Sequence, residues 1–86
     1  MPTISVFYGI MILMHWRDHA PPHFHAMYQG FEAVIDIRSL QVTRGSIPNR
    51  ALALVKEWAS TRQTELLEDW DLCMKKQSPK PIDPLQ

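Results

Sequence analysis

The sequence predicts an α+β domain, with an antiparallel sheet of three to five strands packed against one long C-terminal helix and a proline-rich tail. Two observations carry that expectation. β-Branched and aromatic residues alternate with polar ones through the first half, residues 1–44, with Gly and Pro as punctuation. Asn49 to about Lys76 then runs without a single Gly or Pro, the second half's helix. All 86 residues are assigned to one domain, because halving the chain leaves each part near the roughly 40-residue floor for unaided folding.

The first strand is Thr3 to Tyr8, where Ile4, Val6 and Tyr8 are expected on one side and Thr3, Ser5 and Phe7 on the other. Gly9 interrupts, and a tight hairpin or a bulge at Tyr8-Gly9 lets Ile10 to Trp16 pair back antiparallel. This second run is apolar on both faces and reads as a central strand. Pro21-Pro22 cannot continue it, since consecutive prolines remove two ladder donors. His23 to Tyr28 is extended again, Gln29-Gly30 is a turn, and Phe31 to Ile37 returns with Phe31, Ala33, Ile35 and Ile37 inward and Glu32 and Asp36 outward. Leu40 to Val42 adds a short edge strand.

Pro48 suits a first helical position and opens the helix assigned to residues 47–77, about 29 residues of it unbroken and roughly 43 Å long. Leu52, Val55, Ala59, Leu66, Trp70 and Cys73 form its apolar stripe, and Arg62 fills the gap with its stem on that surface and its head in solvent. Ser60-Thr61, both poor helix formers, mark the place for a kink. Residues 78–86 are too rich in proline for a helix and read as an extended tail, with Ile82 and Leu85 to anchor it.

Nine Lys and Arg balance nine Asp and Glu, which weighs against a role built on tracking phosphates by charge. Cys73 is the single cysteine, so no intrachain disulfide and no cysteine-built zinc site exists, as expected of a reducing cytoplasm. The longest apolar run, Ile10 to Met14, is far short of the about 20 residues of a membrane span, and no signal-type stretch is recognised.

Chemistry concentrates in His15-Trp-Arg-Asp-His-Ala-Pro-Pro-His-Phe-His25, which holds all four histidines. His23 and His25 are two apart on a strand and leave the same face, about 6.5–7 Å apart at the backbone. That spacing suits two imidazoles on one divalent metal ion, or one on a phosphate oxygen and one on a leaving group. Asp18 is placed to orient His19, and Pro21-Pro22 to stiffen the loop between them. The bland alternative is a half-exposed histidine pair bonded to backbone or carboxylate, with no chemistry. Trp58, Arg44 and Arg50 are the candidate interaction residues, against core packing for Trp58 and a solvated face for the arginines. Cys73 falls on the apolar stripe, and the three isolated glycines build no phosphate loop.

Several of these strings resemble one family. Met-Pro-Thr-Ile at the start, Phe7-Tyr8-Gly9-Ile10, Asp18-His19-Ala20-Pro21-Pro22-His23-Phe24-His25-Ala26, Lys56-Glu57-Trp58, Glu65-Leu66-Leu67-Glu68-Asp69-Trp70 and Ile82-Asp83-Pro84-Leu85 are similar to the domain of unknown function 4160 family of small bacterial proteins. The resemblance implies no catalytic residues. It does imply the toxin-like half of a toxin–antitoxin pair, with a small cognate protein encoded nearby as partner, and that is the leading expectation. The modest core adds that a free sheet face or helix flank serves association with that partner or a second copy. The alternative is a small metal- or histidine-dependent phosphodiester hydrolase, a ribonuclease for instance, in which His19, His23 and His25 act with Asp18 and Arg17 clamps the phosphate. A DNA-binding regulator ranks below both, for want of basic residues and of a helix-turn-helix turn.

Overall fold

The computed structural model describes residues 2–86. Five strands, β1 (Thr3–Phe7), β2 (Ile10–Leu13), β3 (His23–Tyr28), β4 (Phe31–Asp36) and β5 (Val42–Ser46), are followed by helices α1 (Asn49–Ser60) and α2 (Gln63–Met74). The sheet is an antiparallel meander in chain order, β1-β2-β3-β4-β5. Two of its connections are two-residue turns, Tyr8-Gly9 and Gln29-Gly30, with positive φ at both positions, the hand that matches strand twist.

The fold is α+β with a five-stranded sheet, but the single long helix is two. Hydroxyl groups weaken the helical ladder at the break. Ser60 Oγ donates to the Glu57 carbonyl at 2.8 Å and Thr61 Oγ1 to that of Trp58 at 3.1 Å, taking acceptors the helical ladder uses. The chain closes with tight bonds from Thr61 N to Trp58 O and from Arg62 N to Ala59 O, and α2 starts afresh one residue later. Gln63 then donates to the carbonyls of Ile37 and Arg38, fixing α2 against the end of β4. Arg62 reaches Glu65 at 3.0 Å, while its Nε is buried.

One sheet face carries the core. Ile10, Ile12, Phe24, Ala26, Ala33, Ile35 and Ile37 are buried with Val55, Trp58, Leu66 and Trp70 of the helices. The alternation expected of the first strand fails, because a bulge at Ile4 shifts the register between Thr3 and Ser5. Ile4 and Ser5 are therefore both buried, whereas Val6 and Tyr8 face out. Phe31 is also exposed, since it adjoins the turn and has only Tyr28 as cross-strand partner. The edge strand lies later than Leu40–Val42. Leu40 sits in a left-handed turn pinned by Leu40 N to Asp36 O, so pairing begins at Val42.

Residues 75–86 hold no helix or strand and lie back over the fold. Ile82 N donates to Ile4 O, Trp58 Nε1 donates to Asp83 O at 2.8 Å, and the Ile82 side chain is buried. Lys80 N donates to Oδ1 of the buried Asp69, whose Oδ2 has no partner. Burial pushes the Asp69 carboxyl above its ordinary value of 3.8; Glu65 and Glu68 push the same way, and the Lys80 N–H opposes them. A raised folded value means that ionised Asp69 costs stability at neutral pH. The cost disappears as pH falls through that value towards 3.8. Wild type should therefore gain stability relative to Asp69→Asn as pH falls from 7.5 towards 3.8 in urea titrations. A pH-independent difference between the two would contradict this assignment.

Candidate functional site

The segment from His15 to Pro22 leaves β2 and folds over the sheet face opposite the helices. Arg17 turns it in a left-handed conformation, and its N–H donates to Cys73 O at the end of α2. Ala20–Pro21 is a cis peptide, and Pro22 O accepts from Ile37 N as the chain enters β3. Alternation along β3 sends Phe24 and Ala26 into the core and His23 and His25 to the other side. There the loop covers them, so both imidazoles are buried. His23 lies against the Trp70 ring, 5.0 Å between centroids, and 5.4 Å from His25.

Asp18 is the hub. Its Oδ2 is 2.8 Å from His23 Nε2 and 3.6 Å from His25 Nε2, and its Oδ1 is 3.3 Å from His19 Nδ1. Oδ1 also accepts from the His19 backbone N–H at 2.9 Å. Burial pushes the Asp18 carboxyl up, but the hydrogen bonds from His23 and from the His19 backbone outweigh it and hold the group at about 2. Each buried ring is also gripped from behind. His23 Nδ1 faces Pro21 O at 2.8 Å, and His25 Nδ1 faces Glu32 Oε2 at 2.9 Å. His15 meets His25 edge to face with 4.1 Å between centroids. Burial pushes His15 below the ordinary imidazole value of 6.5, and the neighbouring His25 pushes the same way.

An open cleft of about 210 Å³ adjoins the cluster, lined by Asp18, His19, His23, Asp36, Thr43 and Arg44 among others. Asp36 stands in it as a carboxylate, held below its ordinary range chiefly by the Ser39 backbone N–H and also by that of Arg38. Asp18, Asp36 and Arg44 thus all line the one cleft.

The sequence candidates fall into three groups. Asp18, His23 and His25 converge. His19, its side chain 92% exposed, stands at the rim with its outer nitrogen free. Arg17 is exposed and absent from the cleft lining, and Arg44 lines it from β5 instead. Trp58 corrects the interaction reading, for it is 1% exposed and packed on Phe7 and Phe24, out of reach of a partner. Arg50 is exposed beside Tyr8 and Tyr28 in a separate groove. His15 and Glu32 join the cluster without being among the sequence candidates. Their signal lies in the register: Leu13 and Val34 both pair with His25, so His15, two residues after Leu13, and Glu32, two residues before Val34, flank its ring.

A small α+β domain with two buried histidines gathered on one carboxylate, beside an open cleft, is the class that fold and site define. The chain belongs to the family described as Domain of unknown function (DUF4160), which it matches over residues 9–71, a span that includes the whole cluster and the cleft. No curated protein and no solved structure matches it. Among the described residues no helix is long and apolar enough to cross a membrane.

Proposed function

We propose that this chain is a phosphodiester hydrolase acting on RNA. The observation that carries the reading is the Asp18–His19 pair at the mouth of a cleft that also holds Arg44. Asp18 Oδ1 lies 3.3 Å from His19 Nδ1, close enough to favour a hydrogen there and leave Nε2 to take a proton, the role a carboxylate plays beside a general base. Arg44 is placed to pair with the phosphate oxygens and the charge that grows on them. RNA brings its own nucleophile. The 2′-hydroxyl attacks phosphorus, its proton passes to His19 Nε2, and the bond to the 5′-oxygen breaks with that oxygen protonated from solvent at the open mouth.

The purified chain should cleave a single-stranded RNA oligonucleotide and leave the matching DNA intact. His19→Ala should lower the rate about 10²–10⁴-fold, the usual worth of a positioned acid–base group. Because His19 is exposed, this variant should keep the wild-type melting temperature. Cleavage of both nucleic acids alike, or a full rate in His19→Ala, would remove the reading.

The toxin-like role in a toxin–antitoxin pair is the second reading, and it is compatible with the first. What supports it is an apolar patch: Val6 and Met11 are cross-strand partners and both large side chains are exposed. A small cognate protein covering that patch would silence an RNA-cleaving partner. Expression of this chain alone should then arrest growth, and co-expression of its neighbour should relieve the arrest. Val6→Asp should abolish the relief and keep the arrest.

A further inference from the structure

We infer that Asp18, His23 and His25 form a binding site for one divalent ion of the zinc type, with Glu32 and the Pro21 carbonyl as supports behind the ligands. The orientation of the rings is the first argument. A carbonyl only accepts, so the contact with Pro21 O puts a hydrogen on His23 Nδ1, and the Glu32 carboxylate does the same for His25 Nδ1. In a neutral ring this leaves Nε2 with its lone pair. Both Nε2 atoms then point at one carboxylate oxygen, Asp18 Oδ2, at 2.8 and 3.6 Å. Three electron-pair donors converge where only a cation, or protons, can sit between them. His25 Nε2 is buried without a hydrogen-bond partner, on a side chain only 6% exposed.

Distances and donor chemistry agree. Ligands about 2.1 Å from a tetrahedral ion stand about 3.4 Å from one another. The 3.6 Å between His25 Nε2 and Asp18 Oδ2 is close to that value, the 2.8 Å between His23 Nε2 and Asp18 Oδ2 is a hydrogen bond the ion would replace, and the three donor atoms lie within 4.8 Å of one another. Two imidazoles and a carboxylate suit zinc, whereas calcium and magnesium take oxygen ligands and copper(I) takes sulfur. Histidine ligands held from behind by a carboxylate or carbonyl are the usual support of such centres. Three protein ligands also leave a fourth position, as in zinc sites that do chemistry. The cleft's charge points the same way, since Asp18 and Asp36 oppose an anionic substrate there and a divalent cation reverses the balance. In the neighbouring grouping of His15, His25 and Glu32, the Glu32 carboxylate already meets His25 Nδ1 at 2.9 Å.

The ion site shares residues with the proposed hydrolase but does not depend on RNA cleavage. Titration of the full chain with Zn²⁺ by calorimetry should show saturable one-to-one uptake. Asp18→Asn, a change in a surface loop, should weaken it at least about 100-fold, and Glu32→Gln should weaken it about 10–100-fold. His15→Gln should leave it unchanged. Ring-nitrogen NMR of the wild type should show Zn²⁺ moving the Nε2 resonances of His23 and His25, with Nδ1 of both remaining protonated. This measurement needs no variant, so misfolding cannot obscure it. Absence of one-to-one uptake, uptake unaffected in Asp18→Asn, or a shift at His25 Nδ1 in place of Nε2 overturns the site. Uptake without RNA cleavage, loaded or not, removes the hydrolase and keeps the ion. Cleavage without uptake does the reverse.

Discussion

Trp58→Ala should cost about 3–5 kcal/mol, the range for truncating a buried large aromatic. Small domains are stable by only about 5–15 kcal/mol, so the variant should lose a large fraction of its stability. The indole is the keystone between layers. Its ring centroid lies 5.1 Å from that of Phe7 on β1 and 6.1 Å from that of Phe24 on β3, with the Phe24 contact edge to face. It also ties the C-terminal segment down, through its N–H on Asp83 O. Trp58→Phe separates these roles, keeping much of the ring packing and losing the hydrogen bond, typically worth about 1 kcal/mol. In urea titrations the alanine variant should lose several times more stability than the phenylalanine variant. Hydrogen exchange near Ile82 should accelerate in both. An alanine variant within about 1 kcal/mol of wild type would place the keystone elsewhere.

Much of this fold was legible, and the reason is local chemistry. X-Gly pairs at Tyr8-Gly9 and Gln29-Gly30 mark hairpins because few other sequences accept two left-handed residues in succession. Pro48 marks the start of α1 because its φ is already helical. What the sequence concealed depends on partners distant along the chain. Ser60 and Thr61 are only weak helix formers by themselves; whether they bend or break a helix is decided by where Gln63 finds the carbonyls of Ile37 and Arg38. The bulge at Ile4 leaves no compositional trace, so the facing of Val6 and Tyr8 could not be read from alternation. At the site, His23, His25 and Asp18 were identifiable as a cluster from spacing and residue type. Their second contacts were not, because Pro21 O and Glu32 reach the rings only after the loop has folded over β3 and the β3–β4 register is set. Arg44, 19 residues beyond His25 in sequence, enters the cleft by the same route, through strand pairing.

Gly45→Ala should be the second severe substitution, and its effect should reach the cleft. Gly45 pairs with Ala33 across the β4–β5 ladder at φ +73°, a conformation that costs a residue with a side chain roughly 1–2 kcal/mol. Space is the larger obstacle. A methyl group there would collide with the Glu32 carbonyl oxygen and lie 3.2 Å from its carbon, and backbone atoms in a paired strand cannot rotate away as a side chain can. Overpacking of this kind adds about 1–3 kcal/mol, for a total of roughly 2–5 kcal/mol. Gly30→Ala is the matched control, since Gly30 has φ +85° with nothing within 4 Å of the added methyl. It should cost only the conformational part. Relief of the collision is cheapest by peeling β5 from β4, for β5 is an edge strand already bulged at Thr43. Peeling withdraws Thr43 and Arg44 from the cleft while Asp18, His23 and His25, held by β3 and its covering loop, remain in place. Gly45→Ala should therefore lose RNA cleavage more steeply than stability and keep Zn²⁺ uptake wherever it stays folded. Equal losses in Gly45→Ala and Gly30→Ala would show that the collision is absorbed without moving the edge strand.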